Sequence, residues 1–184
     1  MTTAFTIAAP ILMYHRIGSP QPGSIVRGQY VPCDLFEKQL RFLLRRGYSP
    51  MSLTEFVRCL SSHPKGVRPI AITFDDGYES VYTDALPVLR RQGMTATVFV
   101  VAGQMGDTNQ WDKVKGDVTE PMMDVWQIRD AQRLGIEIGS HTSSHPDLLL
   151  CSEPRAVDEI AGSKRVLEEL LGQPVDWFSY PYGR

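Results

Sequence analysis

Short apolar runs alternate with amphipathic stretches along the chain, and this alternation restricts the available folds more than any other feature. Residues 69–74 (PIAITF) and 95–101 (TATVFVV) are continuous apolar or β-branched runs. Such runs are typical of parallel strands, because both faces of those strands are buried. Amphipathic stretches follow them, and an order of strand, helix, strand, helix predicts an α/β fold with a parallel sheet and crossover helices.

The predicted elements cover most of the chain. Strands are expected at residues 10–15, 69–74, 95–101, 136–140 and 175–180, and helices at 35–46, 78–91, 122–134 and 153–171. Asp34 is expected to cap the first helix, and Ser52 a further one through a capping box with Glu55. Pro87 should interrupt the helix at 78–91, because proline lacks the amide proton that a helix interior needs. Residues 16–33 and 102–120 are predicted loops.

The length of the chain bounds its architecture. A chain of 184 residues fits one domain, predicted to span residues 1–184. Roughly five strand–helix units are present, whereas a full eight-unit barrel needs about 250 residues. The sequence therefore allows an open sheet or a partial barrel. Because Arg184 follows a predicted strand with no helix to cover it, we expect the last strands to be missing at the C-terminus.

Composition excludes several classes of protein. The chain has 19 Lys and Arg residues against 21 Asp and Glu, a balance that argues against a nucleic-acid partner. No run reaches the ~18 consecutive apolar residues of a transmembrane helix. Residues 1–10 lack the basic start of a secretory signal, so the expected location is the cytoplasm. Three cysteines without a CxxC pattern predict reduced thiols rather than disulfides or a thiolate zinc site.

Polar residues follow four of the predicted strands at the points where those strands end. His15, Asp75 with Asp76, and His141 with His145 each come directly after an apolar run, and the sequence PYG follows the last one. In parallel α/β folds the carboxyl ends of the strands meet at one edge of the sheet, where the chemistry collects. We therefore expect these residues to form a single site.

The residue types at this edge are those of a catalytic metal site. Asp76, His141 and His145 form a set of two histidines and one carboxylate, which leaves coordination positions open for water and substrate. Asp75 would then be free to act as a base. For the individual residues ordinary alternatives stay open: an aspartate can cap the following helix, and the histidines can be surface residues.

Two further features at the same edge have a structural and a functional interpretation. His15 is either a loop histidine without a function or a proton donor. The segment around Pro181 and Tyr182 is either a simple turn or a rigid backbone stretch. In the second case the Tyr182 amide would face an oxyanion, since proline has no N–H to offer.

Three motifs, TFDDG (73–77), HTSSH (141–145) and FSYPYG (178–183), occur in this order in the chain. In this order they resemble the first motifs of the polysaccharide deacetylase family, also called the NodB-homology or carbohydrate esterase 4 family. The resemblance covers the chain from about residue 10 to its end. It implies a distorted (β/α) barrel, a divalent metal ion (zinc expected, with cobalt, nickel or iron(II) as alternatives) and an acetylated carbohydrate as the substrate.

The resemblance also implies a role for each matching residue. Asp75 matches the catalytic base, Asp76, His141 and His145 match the metal ligands, and Tyr182 matches the residue whose backbone N–H holds the oxyanion. The segment ILMYHRI resembles the start of bacterial members with a circularly permuted motif order, in which the histidine matching His15 is the general acid. Pro181 and Tyr182 belong to the motif that contacts substrate. The chain departs from the family at Ser179, where an arginine commonly orients the base.

Two tryptophans have different expected roles. Trp111, in a polar loop, is a candidate for contact with a sugar, whereas Trp126, within a helical pattern, is expected to pack in the core. Three other functions stay open. They are a hydrolase of the same fold acting on a small non-sugar amide or imide, an iron(II) oxygenase with a two-histidine, one-carboxylate site, and a non-catalytic carbohydrate-binding remnant.

Overall fold

The structure is a computed structural model that describes residues 9–62 and 64–184. Most of the N-terminal segment 1–10 therefore lies outside the described residues, as does His63. Within the described part of the chain, no helix combines the length and the apolar content needed to cross a bilayer.

One parallel sheet organises the molecule. Its strands are β1 (Ile11–Tyr14), β4 (Tyr48–Met51), β5 (Arg68–Phe74), β6 (Thr97–Val100) and β7 (Glu137–Ser140). A separate pair, β2 (Arg16–Ile17) and β3 (Tyr30–Val31), is also parallel. The sheet runs in the order β1–β5–β6–β7, with β4 also paired to β5. Every pairing in it is parallel, as the apolar runs predict.

Strand β5 changes neighbours along one of its edges. Ala71 pairs with Ile11 of β1 and with Met51 of β4, so β1 and β4 lie on opposite edges. Thr73 pairs with β1 and with Thr97 of β6. Strands β4 and β6 therefore share one edge of β5, the first along its amino-terminal half and the second along its carboxyl-terminal end.

Helices connect the strands, and local sequence sets most of their ends. They are α1 (Cys33–Arg45), α2 (Leu53–Ser62), α3 (Leu86–Arg91), α4 (Gln110–Lys113), α5 (Val125–Arg133) and α6 (Glu153–Leu171). The predicted capping box at α2 is confirmed, since Ser52 N–H donates to Glu55 and Glu55 N–H donates to the Ser52 hydroxyl. Helix α6 matches its predicted bounds and ends at Gly172, whose φ of +67° suits glycine.

The break predicted at Pro87 is confirmed as well. A π-helical turn at Val81–Ala85 precedes α3, and the proline sits in the first turn of α3, where its missing N–H is not needed. Helix α5 begins later than predicted, because Asp124 caps it in a capping box with Gln127.

Other predictions about the elements are wrong. Asp34 does not cap α1, since the helix starts earlier, after Pro32, and Asp34 lies in its first turn with Lys38 as its ion-pair partner. Residues 175–180 do not form a strand, because only Phe178 forms a bridge, to Ser140 of β7. Strand β4, the β2–β3 pair and helix α4 were not predicted. Trp126 does not pack in the core, as it is 61% exposed.

Side-chain alternation divides the core into two clusters, one on each face of the sheet. In β5, Ile70, Ile72 and Phe74 belong to the larger cluster, under the helices. Ala71 belongs to a second cluster with Leu53, Phe56 and Phe99. Because successive strand residues point to opposite faces, Thr73 and Asp75 continue the inner face that Ala71 begins.

Candidate metal centre

The inner face of the sheet opens into a pocket of about 660 Å³ at the carboxyl ends of the strands. Period-two alternation places His15, Asp75 and His141 in it, because each lies two residues beyond an inward-facing residue at the end of its own strand. The predicted site residues that line this pocket are His15, Asp75, Asp76, Trp111, His141, His145 and Tyr182. The structure thus brings together in one pocket residues that are far apart in sequence.

Asp76, His141 and His145 form the centre of the pocket. The Asp76 Oδ1 atom lies 3.3 Å from His141 Nε2 and 3.2 Å from His145 Nε2. One ligand atom from each residue lies within 4.8 Å of the others, and all three side chains are buried. Among the described residues, Oδ1 receives no hydrogen bond of good geometry despite its burial.

These distances fit a divalent cation. With metal–ligand bonds of about 2.1 Å and tetrahedral angles, neighbouring ligand atoms stand about 3.4 Å apart. Burial disfavours the charged forms of Asp76 and His141. The attraction between the Asp76 carboxylate and the two imidazoles, whose Nε2 atoms lie 3.3 and 3.2 Å from Oδ1, outweighs this effect, lowering the pKa of Asp76 and raising that of His141. The three side chains therefore favour a positive charge among them, which a proton or a metal ion can supply.

Unusual backbone conformations orient the candidate ligands. Asp76 and His145 have φ angles of +73° and +59°, and Thr142, between the two histidines, has +69°. Such values are uncommon for residues other than glycine and are kept only where surrounding contacts enforce them. One such contact is local, since the His145 N–H donates to the Thr142 hydroxyl at 3.0 Å.

Ser179 connects the ligands to the candidate base. Its carbonyl oxygen lies 2.9 Å from His141 Nδ1, which assigns the proton to Nδ1 and leaves the Nε2 lone pair facing Asp76. Its hydroxyl donates to Asp75 Oδ2 at 3.2 Å. The residue at the position of the family's usual arginine therefore contacts both the candidate base and a candidate metal ligand.

Asp75 is buried beside the ligands without being one of the three. Burial is the largest cause of its raised pKa, and neighbouring Asp76 adds to it, whereas His141, His15 and the Ser179 hydroxyl oppose it. A carboxylate with a raised pKa is a stronger base than an ordinary aspartate. Half-buried His15 lines the pocket as well.

Tyr182 lies at the rim of the pocket in a tight turn, with a φ of +60°. The backbone hydrogen bonds of this turn run from Gly183 N to Tyr180 O and from Arg184 N to Pro181 O, and neither uses the Tyr182 amide. Pro181 is buried within the turn and does not line the pocket. The Tyr182 hydroxyl accepts a hydrogen bond from Lys115 at 3.2 Å.

Trp111 covers His145, one of the candidate metal ligands. Its ring stacks on the His145 imidazole at 4.3 Å between centroids, and Tyr182 meets the same imidazole edge to face at 4.9 Å. Trp111 lies in α4, within the segment predicted to be a loop. The helix is held by a buried cluster in which Arg16 Nη2 bonds Asp112 at 2.7 Å and the Tyr78 hydroxyl at 2.5 Å.

This arginine cluster was not predicted from the sequence. Arg16 is 1% exposed, and its guanidinium also lies over the rings of Tyr30 and Tyr78. The signal was present, since an arginine inside the apolar segment ILMYHRI must find a buried partner. Glu159, a buried carboxylate of α6, was missed too, because its sequence context is that of an ordinary helix surface.

Comparison with known proteins identifies the class. The family model described as polysaccharide deacetylase matches residues 62–184, more than half of the chain. YxkH of Bacillus subtilis (strain 168), named as a polysaccharide deacetylase, is 35% identical over 176 residues, which are 95% of this chain and 57% of the relative. The chain belongs to the polysaccharide deacetylase family, as its motifs predict.

Further relatives agree with this assignment. A poly-beta-1,6-N-acetyl-D-glucosamine N-deacetylase of Staphylococcus aureus is 24% identical over 86% of this chain and 55% of its own length. The chain thus spans about half the length of the curated relatives it matches.

Solved structures confirm the fold class. The Streptococcus pyogenes deacetylase PplD in complex with acetate matches with a TM-score of 0.79 and 30% identity, over 96% of this chain and 74% of that one. IcaB from Ammonifex degensii matches with a TM-score of 0.80 and 29% identity, over 96% and 75%. The predicted distorted (β/α) barrel is the fold of these proteins.

Proposed function

We propose that this chain carries the active site of a metal-dependent deacetylase that hydrolyses N-acetyl groups of a carbohydrate. The observation that carries the proposal is the convergence of Asp76 Oδ1 with two imidazole Nε2 atoms at 3.2 and 3.3 Å, with Asp75 beside them in an open pocket. The names of the relatives, among them a poly-beta-1,6-N-acetyl-D-glucosamine N-deacetylase, support the choice of substrate class.

Asp76, His141 and His145 would hold the metal ion, for which two nitrogen ligands and one carboxylate favour zinc. A divalent ion at this position supplies Lewis acidity, lowering the pKa of water and polarising a carbonyl group. The Nδ1 proton of His141, directed at the Ser179 carbonyl, keeps Nε2 available as a ligand.

The other residues of the chain handle protons and the developing charge. Asp75 takes a proton from the attacking water as the water oxygen adds to the acetyl carbonyl carbon. The Tyr182 N–H donates a hydrogen bond to the resulting oxyanion, a contribution of about 2.7–4 kcal/mol in comparable sites. His15 then donates a proton to the sugar nitrogen as the carbon–nitrogen bond breaks, releasing acetate and a free amine.

Acetate release from N-acetylglucosamine oligomers, with and without EDTA, tests the proposal. We expect release that EDTA abolishes and that added zinc restores. A panel including small amides and imides tests the substrate class, and oxygen consumption tests the oxygenase alternative. Binding of the oligomers without any acetate release would instead favour the non-catalytic alternative.

Substitution of Asp75 separates its role from that of the ligands. Asp75→Asn should abolish turnover with zinc still bound, because the amide cannot accept the proton from water. His141→Ala should lose the zinc as well. Asp34→Asn, at an exposed carboxylate of α1, serves as the matched control and should retain full activity. Near-normal turnover by zinc-loaded Asp75→Asn would contradict the assignment of the base.

A further inference from the structure

A buried carboxylate on helix α6 is directed at the loop that carries both histidine ligands. Glu159 is 7% exposed. Its Oε2 atom accepts the backbone N–H groups of Ser143 and Ser144 at 2.9 and 2.8 Å. Its Oε1 atom accepts the Ser144 hydroxyl at 2.5 Å. The carboxylate therefore binds three donors on the segment between His141 and His145.

The hydrogen-bond donors that the Glu159 carboxylate has come from this loop. In residues 9–62 and 64–184 Glu159 forms no ion pair with a lysine, arginine or histidine, although it is buried. A buried carboxylate without a cation needs hydrogen-bond donors, and hydrogen bonds to a charged acceptor are stronger than those to a neutral one. The loop donors and the carboxylate therefore stabilise each other.

The opposite side of the loop is fixed by backbone. Ala102 N–H donates to Thr142 O at 3.0 Å, and Gly103 N–H donates to Ser143 O at 2.8 Å. The loop thus lies between a helix side chain and the turn after β6. Since Thr142 and His145 both have positive φ angles, this double attachment enforces a conformation that the residues would rarely adopt alone.

We propose that Glu159 is a positioning residue for the metal centre, which fixes Ser143 and Ser144 so that the His145 imidazole meets Asp76. This inference rests on the proposed function, since it assumes that the three side chains bind a metal ion. Glu159 does not touch the site itself; it acts through the conformation of the loop. Removing its bonds should therefore weaken metal binding, as the loss of outer partners of metal ligands commonly does.

Three variants separate positioning from a simple effect of charge. Glu159→Ala removes all three bonds. Glu159→Asp keeps the charge but is one methylene too short to reach the loop. Glu159→Gln removes the charge but can keep all three contacts. The glutamine side-chain oxygen can accept both backbone N–H groups, which share one oxygen of Glu159, and its amide nitrogen can donate to the Ser144 hydroxyl. Glu168→Ala is the matched control, as this α6 carboxylate accepts the Val175 N–H at 3.0 Å, away from the loop.

The measurement is the zinc affinity of the metal-free protein, by titration against a chromophoric chelator at a temperature where circular dichroism shows each variant folded. We expect Glu159→Ala and Glu159→Asp to bind zinc about 10- to 100-fold more weakly. Glu159→Gln should change the affinity less than about threefold, because both amide groups keep an acceptor. Glu168→Ala should bind zinc as the unsubstituted chain does.

The outcomes distinguish this inference from the proposed function. If the unsubstituted chain binds no zinc, the proposed function fails and the role of Glu159 fails with it. If it binds zinc and the Asp and Ala variants bind equally well, Glu159 has only a structural role and the inference is overturned. A weak Gln variant beside a normal Asp variant would overturn it too, because through-space charge would then explain the effect.

Discussion

Gly103 is a position where a single added methyl group should disturb the candidate metal centre. A Cβ atom at this residue would lie 2.4 Å from the Ser143 carbonyl oxygen and 3.3 Å from its carbon. Both neighbouring atoms belong to backbone, so no side chain can rotate away. Gly103→Ala should therefore push the ligand loop away from the turn after β6.

The magnitude follows from these distances. Ordinary contact begins at 3.4 Å, so the two backbones must separate by about 1 Å, and the 2.8 Å bond from Gly103 N to Ser143 O would be lost. Overpacking costs about 1–3 kcal/mol and the lost bond about 0.5–1.5 kcal/mol. The lower chain entropy of alanine offsets about 0.4–1 kcal/mol. We expect a net loss of about 2 kcal/mol, or a fall of about 4–8 °C in Tm.

Thermal unfolding of the metal-free protein and zinc titration measure the two consequences. Gly28→Ala is the matched control, because Gly28 has ordinary φ and nothing within 4 Å of an added Cβ. It should stay within about 0.5 kcal/mol of the unsubstituted chain. Equal midpoints and equal zinc affinities for Gly103→Ala and Gly28→Ala would refute the reasoning, since the loop would then accommodate the methyl group freely.

The remaining predictions concern the arginine cluster and the pocket wall. Arg16→Ala should lower the free energy of unfolding in urea by about 3–5 kcal/mol, because it leaves Asp112 buried without its closest cation; a loss below about 1 kcal/mol would contradict this. Burial raises the pKa of Asp117, but the N–H groups of Ile25 and Val118, the Ser24 hydroxyl and Arg16 outweigh it and lower the pKa overall. The unsubstituted chain should therefore have a higher free energy of unfolding than Asp117→Asn, with the full difference present above about pH 4. This difference should disappear as the pH falls through the lowered pKa of Asp117 in the folded protein. A difference in urea titrations that is unchanged at pH 2 would contradict the prediction. Trp111→Ala should raise KM for N-acetylglucosamine oligomers roughly 2- to 10-fold, the range of one aromatic contact, with zinc stoichiometry unchanged; a fall in kcat at constant KM would point to another role.

The strands that carry the site could be predicted because the apolar, β-branched residues that favour a strand locally are also the residues that a buried parallel sheet needs. The β5 run is buried on both faces, and Asp75, the residue directly after it, continues its inward face into the pocket. The same reasoning applied to His15 and His141, whose strands end in the same layer. The common edge at which parallel strands end was therefore enough to predict that these titratable residues share one site.

The contacts that hold the site could not be predicted in the same way. Residues 175–180 have the composition of a strand, yet only Phe178 pairs with the sheet, at Ser140 of β7. Whether a segment pairs along its whole length depends on tertiary packing, which the local sequence does not reveal. Glu159 sits in a helix of ordinary pattern, and only the approach of the ligand loop buries it. Trp126 has helical spacing, yet in the described part of the chain its ring meets only the edge of the Tyr82 ring among the aromatic side chains and stays 61% exposed.

Ser179 performs its two tasks with different parts of the residue. The bond to His141 uses the main-chain carbonyl, which every amino acid carries, whereas the bond to Asp75 uses the hydroxyl. In the proposed mechanism, a substitution here that preserves the backbone path would alter the hydrogen bonding of the base Asp75 and leave the carbonyl contact of His141 in place. Variation at this single position would then change proton transfer separately from metal retention.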